Sequence, residues 1–171
     1  QDAGLKTLPG TAAEILDDKL TGVVPRSQGI NPFEIRRGLL LTDEINIVTV
    51  RHKGAIIKTI GDEIMCTFPS AVQGLLASTD MQRRIKSDIA FVQDNIGIRV
   101  GLHHGEALVE ETDVYGDAVN VAARMAALAK RDQIVATAST ALNITNAAGV
   151  RVRSIGTARV AGKLLPIEIV D

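Results

Sequence analysis

The segment from residue 55 to residue 86 constrains the fold more than any other part of the sequence. Residues 55–60 and 63–68 are short apolar runs typical of strands, and the turn dipeptide Gly61-Asp62 separates them. A helix pattern beginning at Pro69-Ser70 follows at once. A strand hairpin followed directly by a helix predicts a sheet that contains antiparallel pairs.

The rest of the chain continues this mixture. Further strands are predicted at 96–102, 105–109, 133–137, 150–160 and 164–170, and further helices at 11–20, 32–52, 116–129 and from Ser139 onward. Gly101 and Gly105 are expected to bracket a turn between two of these strands. Because strands and helices do not alternate strictly, the pattern predicts an α+β fold, with an antiparallel or mixed sheet and helices on one face.

The N-terminal region differs from the remainder. Residues 21–32 contain two prolines and two glycines and read as a loop, and Asn31-Pro32 is a favourable start for a long helix. We therefore predict that residues 1–30 are an N-terminal extension or linker and that residues 31–171 form one domain.

Composition excludes several classes of partner. Hydrophobic residues make up 46% of the chain, but aromatic residues make up only 2%, so the core must consist of Ala, Val, Ile and Leu. Few aromatics and a net charge of −1 argue against a nucleic-acid partner. The single cysteine, Cys66, precludes an internal disulfide and fits a reducing compartment, so we expect a cytoplasmic location.

No apolar run approaches the length of a spanning helix, and no signal peptide opens the chain. We therefore expect no membrane segment in this sequence. The first residue is Gln1 rather than Met, which leaves open that regulatory domains belong to a longer protein.

Two short segments carry chemistry. The first, Lys58 to Asp62, places a carboxylate at a hairpin tip, where it would suit Mg²⁺ together with substrate phosphates, although Gly-Asp is also ordinary turn chemistry. In the second, Asp113 to Arg124, Asn120 and Arg124 are four residues apart and share one helix face. They could contact phosphate oxygens, or they could be polar residues of an exposed helix.

Together the two segments resemble the class III adenylate and guanylate cyclases. The family pattern Lys-x-x-Gly-Asp is present at residues 58–62, and Asp-x-x-Gly-x-x-Val-Asn-x-Ala-x-Arg is present in full at 113–124. Residues 98–105 resemble the Arg-x-Gly-x-His-x-Gly strand between them. The resemblance implies the ferredoxin-like fold of class III cyclases, with helices flanking a mixed or antiparallel sheet.

The resemblance also implies a role for each matching residue. Lys58 and Asp113 would read the purine, in the combination typical of adenine-selecting members. Asp62 would be one of two metal-binding aspartates holding two Mg²⁺ or Mn²⁺ ions, and Asn120 and Arg124 would orient the ribose and stabilise the transition state. The implied enzyme is an adenylate cyclase, a lyase of signal transduction, that converts ATP into 3′,5′-cyclic AMP and pyrophosphate as a homodimer.

Two departures from the family pattern qualify this prediction. The strand with the other metal aspartate has no obvious counterpart, so we predict that it is absent; in the competing alignment Asp18, 44 positions before Asp62, takes that place. Ala161 stands where the family has a phosphate-binding Lys, for which Lys163 could partly substitute. These departures favour an alternative function, a catalytically impaired nucleotide-binding or dimerisation module of the same fold.

Overall fold

The computed structural model describes residues 6–17, 32–60, 63–109, 113–148, 150–161, 163 and 165–171. The strands are β1 (Lys6–Asp17), β2 (Ala55–Ile60), β3 (Glu63–Phe68), β4 (Ile98–Val109), β5 (Val114–Tyr115), β6 (Ile134–Thr137), β7 (Ser154–Ala158) and β8 (Ile167–Val170). The helices are α1 (Pro32–Arg51), α2 (Ala71–Ser87), α3 (Ile89–Gln93), α4 (Asp117–Leu128) and α5 (Ala138–Ala148).

The strands form one sheet in the order β2-β3-β1-β4-β6-β8-β7, with β5 paired to β4. The β4–β6 pair is parallel, and every other described pair is antiparallel. The α+β class, the mixed sheet and its flanking helices are thus confirmed. The predicted hairpin and the helix that follows it are confirmed too, and the Ser70 hydroxyl caps that helix by accepting from the Gln73 N–H.

The prediction for the N-terminal region is wrong for residues 6–17. They form β1, a strand between β3 and β4, rather than a helix over 11–20 or part of an extension. Residues 11–16 pair with both neighbouring strands, whereas residues 6–10 pair with β4 alone. Pro9 therefore lies where β1 is locally an edge, the position in a sheet that tolerates a missing N–H. The family's central strand is present, so the prediction that it is absent is also wrong.

The predicted turn between Gly101 and Gly105 does not exist, because residues 98–109 form the single strand β4. Gly101 serves a different purpose. A Cβ at this position would lie 2.1 Å from the Ala126 nitrogen and 2.4 Å from the Ala122 carbonyl oxygen. The glycine is required because the backbone of α4 packs directly on β4 there.

Helices cover both faces of the sheet, not one as predicted. The larger core lies between the sheet and α1, α2 and α5, and it contains Ile45, Met81 and Leu102. On the opposite face, α4 packs through Met125 on β6, β7 and β8, and through Ala118 near Met65 of β3. The reason is that adjacent residues of a strand face opposite sides, and both sides of β3, β6 and β8 are apolar.

Candidate active site

A lysine and an aspartate from distant parts of the chain form the centre of the candidate site. Lys58 of β2 donates to both carboxylate oxygens of Asp113, at 2.7 Å and 2.9 Å from its Nζ. The Val114 N–H donates to the same carboxylate at 2.8 Å, and the Tyr115 ring centre lies 6.0 Å from Nζ. The structure therefore brings together the two residues that the sequence predicted to read a purine.

The Asp113 carboxyl is ionised at neutral pH, and the pair is accessible from solvent. The hydrogen bond from Lys58, and after it the bond from the Val114 N–H, lower the pKa of Asp113 below its ordinary value. About a third of the Lys58 side chain and a fifth of the Asp113 side chain are exposed, at 33% and 21%. A ligand can therefore reach one fixed donor and one fixed acceptor side by side.

The first two turns of α4 present the other predicted residues. Gly116, with φ of 132°, precedes the helix in a conformation that side chains disfavour. Asn120 and Arg124 are both exposed, while Val121 and Met125 are fully buried against the sheet. The exposed side of α4 thus carries an amide and a guanidinium. Among the described residues of one chain, no hydrogen bond or ion pair joins either group to Lys58 or Asp113.

Lys163 joins this exposed surface through an ion pair. Its ammonium contacts the Asp117 carboxylate in the first turn of α4, three residues before Asn120. Ala161 is exposed in the preceding turn. The lysine that could partly replace the family's phosphate-binding residue therefore lies at the N-terminal end of α4.

Three residues near these groups were not predicted. Tyr115, two residues after Asp113, lies over the Lys58 ammonium, and Asp117 pairs with Lys163. His103, which the Thr137 hydroxyl contacts at 2.9 Å, has a pKa lowered mainly by burial, with Asp117 opposing the shift and Lys163 adding to it. Tyr115 and Asp117 lie inside the motif at 113–124, and this position could have marked them as site residues. Nothing in the sequence indicated that His103 lies near Asp117 and Lys163.

Asp62 and Asp18, the two predicted metal ligands, lie outside the described residues. The strands that lead to them are neighbours, because Leu16 near the end of β1 pairs with Glu63 at the start of β3, and Asp17 follows. Carboxylates at such adjoining strand ends are the donors that Mg²⁺ prefers. Within the described part of the chain, no group of three or more potential ligands is assembled.

The sequence profile of the adenylate and guanylate cyclase catalytic domain matches residues 29–169. The chain belongs to this family. Among curated proteins, an adenylate cyclase of Glutamicibacter nicotianae is 30% identical over 118 residues, which are 68% of this chain and 28% of that protein. The chain spans well under half the length of the curated relatives it matches, from 14% to 31%.

Solved cyclase domains share the fold. The adenylyl cyclase CyaB from P. aeruginosa superimposes with a TM-score of 0.83 at 19% identity, covering 98% of this chain and 94% of that one. The guanylate cyclase domain of RhGC from Catenaria anguillulae, solved with GTP, superimposes at 0.77 and 20% identity, covering 96% of each chain. These matches establish a class III cyclase fold, and both purine types occur among the similar domains.

None of the described helices combines the length and apolar character needed to cross a bilayer.

Proposed function

We propose that this cyclase domain is an adenylate cyclase that converts ATP into 3′,5′-cyclic AMP and pyrophosphate. The observation that carries the proposal is the Lys58–Asp113 pair, which offers a hydrogen-bond donor and an acceptor side by side. Adenine presents the complementary edge, with an exocyclic amine that donates and a ring nitrogen that accepts. Binding ATP would exchange the bonds within the pair for bonds to the base.

The position of α4 supports catalysis by a homodimer. Asn120 and Arg124 are exposed on α4, directed away from the sheet that buries Val121 and Met125. In the class III pattern the metal-binding aspartates come from one subunit, and the Asn and Arg come from the other. We propose that a second copy of the chain supplies the Asn120 and Arg124 that complete each site.

The chain's own residues would act mainly by positioning and by electrostatics. Lys58 and Asp113 fix the base, and the Asn120 amide orients the ribose so that its 3′-oxygen lies in line with the α-phosphorus. As that oxygen attacks and the bond to pyrophosphate breaks, negative charge grows on the α-phosphate oxygens, where the Arg124 guanidinium stabilises it. Lys163, which pairs with Asp117 at the N-terminal end of α4, would partly neutralise the leaving pyrophosphate.

Two divalent ions, Mg²⁺ or Mn²⁺, fit the proposed reaction. We assign them to Asp62, which precedes β3, and to Asp18, which follows β1. When bound, they would supply Lewis-acid stabilisation of the attacking and leaving oxygens. The pairing of β1 with β3 supports this assignment, because the end of β1 and the start of β3 are neighbours in the sheet.

A second candidate is an impaired module that binds nucleotide without turning it over. The observation in its favour is Ala161, which cannot contact phosphates as the family's Lys does, while the remaining Lys163 is already paired with Asp117. The two candidates differ in one measurable property, the formation of cyclic nucleotide by a dimer.

The decisive experiment measures cyclic AMP and cyclic GMP formed from ATP and GTP with Mn²⁺ over a range of protein concentrations. We expect cyclic AMP, with a rate that rises more steeply than the protein concentration. Lys58→Ala and Asp113→Ala should raise KM for ATP. Mixing Asp62→Ala with Arg124→Ala should restore part of the activity, because one of the two shared sites then has both its metal-binding aspartate and its arginine. ATP binding without product, under conditions where light scattering shows a dimer, would favour the impaired module.

Purine selection is tested separately. In guanine-selecting relatives the pair is usually Glu and Cys, so Lys58→Glu combined with Asp113→Cys should shift the ratio of kcat/KM values from ATP toward GTP. Dominant cyclic GMP formation by the unaltered chain would contradict the proposed adenine selectivity.

A further inference from the structure

A cavity of about 320 Å³ lies on the face of the sheet opposite α4. Its apolar wall includes Leu102 of β4, Ala136 of β6, and Ala141 and Ile144 of α5. A volume of this size is within the range of pockets that hold small molecules. Neither Lys58, Asp113 nor any residue of α4 contributes to the lining.

The cavity and α4 lie on opposite sides of the same two strands. Leu102 and Ala136 are paired across β4 and β6, and so are the preceding residues, Gly101 and Val135. Because adjacent residues face opposite sides, Leu102 and Ala136 line the cavity while Gly101 and Val135 pack toward α4. One layer of sheet therefore separates the cavity from α4.

One lining residue carries a polar group that the described chain leaves unsatisfied. The Gln82 side-chain nitrogen is buried and has no hydrogen-bond partner among the described residues. Buried donors are normally paired, and an unpaired one is unfavourable. Because Gln82 contributes to the lining, a ligand that accepts a hydrogen bond would give this donor a partner once the amide turns toward the cavity.

The charges around the cavity favour a neutral ligand. Three charged residues contribute to the lining, and the two carboxylates are already paired: Asp171 with Arg153 at 2.7 Å, and Asp132 with Lys86 at 3.5 Å. The third, Arg151, is exposed to solvent. A cation would find no unpaired carboxylate, and an anion would meet one solvent-exposed guanidinium together with two negative groups. The apolar wall and the unpaired amide together suit an apolar molecule with a single acceptor.

We propose that this cavity is a second ligand site, which binds a small, neutral, mainly apolar molecule through its apolar body and through one carbonyl or ether oxygen that accepts from Gln82. The site is independent of the proposed nucleotide chemistry, so its test needs no catalytic turnover.

The test titrates the complete chain with prodan, a neutral naphthalene dye with one ketone whose emission shifts to the blue in apolar surroundings. We expect saturable binding of one dye per chain, unaffected by excess ATP. Gln82→Met keeps the side-chain size but removes the donor, and should weaken binding about three- to tenfold. Ala141→Phe fills the cavity and should abolish binding.

Matched controls are Gln93→Met on the exposed side of α3 and Leu142→Ala on the exposed side of α5, which should bind as the unaltered chain does. If circular dichroism shows that Ala141→Phe does not fold, Gln82→Met alone decides. The proposal is overturned if the folded protein shows no saturable binding, if ATP displaces the dye, or if Gln82→Met binds as tightly as Gln93→Met. Tighter binding of a sulfonated analogue at the same site would overturn the neutral ligand class.

Discussion

The two faces of the sheet are built from different kinds of side chain. The face covered by α1, α2 and α5 buries large residues, among them Ile45, Met81 and Ile85, each 1% exposed. On the other face, α4 buries Met125, but where it crosses β4 it approaches through small residues, and Ala122 and Ala126 lie against Gly101. The first face therefore supplies most of the buried apolar area and hence most of the stability. The second face is covered by the single helix α4, whose exposed side carries Asn120 and Arg124.

The largest loss of stability should come from the core between the sheet and α1, α2 and α5. Met81→Ala removes a fully buried side chain of α2 and should lower the free energy of unfolding by about 2–5 kcal/mol. Urea denaturation measures the change. On the same helix, Leu76→Ala is the control, because Leu76 is 43% exposed and its loss should matter much less. Equal destabilisation by both variants would contradict the comparison between the faces.

The site face should show the reverse behaviour. Arg124→Ala should reduce kcat by about 100- to 1,000-fold, since in the proposed reaction it removes the positive charge that stabilises the developing negative charge. Its free energy of unfolding should change by less than about 0.5 kcal/mol, because the side chain is exposed. Initial-rate kinetics and urea denaturation on the same preparation test both parts. A large loss of stability in Arg124→Ala would show that the outer side of α4 is structural.

The close contact between β4 and α4 is tested at Gly101. Gly101→Ala should lower the free energy of unfolding by about 1–3 kcal/mol, because the new methyl group meets backbone atoms of α4 that cannot move independently. Gly105→Ala is the matched control on the same strand, where the nearest atom is the Ala118 Cβ at 3.1 Å. Thermal denaturation should rank Gly101→Ala clearly below Gly105→Ala in Tm. The same Tm for both would mean that α4 does not pack as closely as described.

The smallest effect concerns acid stability at the end of β8. Arg153 and Gln133 lower the pKa of Asp171 from 3.8 to about 2. A carboxyl whose pKa is lower in the folded state contributes stability above pH 4 and loses it as the pH falls from about 4 to about 2. Because Arg153 is 76% exposed, this contribution should be below about 1 kcal/mol. Asp171→Asn should therefore flatten the fall in stability over that range, as measured by urea denaturation at successive pH values.

Local sequence predicted those parts of the fold whose signals are local. The β2–β3 hairpin and α2 follow from alternation, a Gly-Asp turn and a Ser cap, and α4 follows from its alanine-rich pattern. The helix α3, five residues long and capped by Asp88, was too short to stand out. Lys58 and Asp113 were correctly expected to meet, but on the resemblance to a family rather than on any local property.

The errors arose where tertiary contacts outweighed local preference. Residues 11–16 include Ala, Leu and Glu, which favour helices. They form a strand because their backbone pairs with β3 on one side and with β4 on the other. Gly101 was read as a turn residue, although its role is to admit the backbone of α4. Neither contact is visible in a window of sequence, since the partners are dozens of residues away.

The sequence by itself determined the hairpin, the α4 motif and the family, because each depends on neighbouring residues or on a fixed spacing. The expectation of a core of Ala, Val, Ile and Leu alone is wrong, since Met81, Met125 and Phe68 are buried as well. Only the tertiary structure decided that β1 lies inside the sheet, that helices cover both faces, that Lys163 pairs with Asp117, and that a cavity lies behind β4 and β6. The physical reason is that these features depend on contacts between segments distant in sequence, whose free energies exceed the small local preferences that a sequence pattern records.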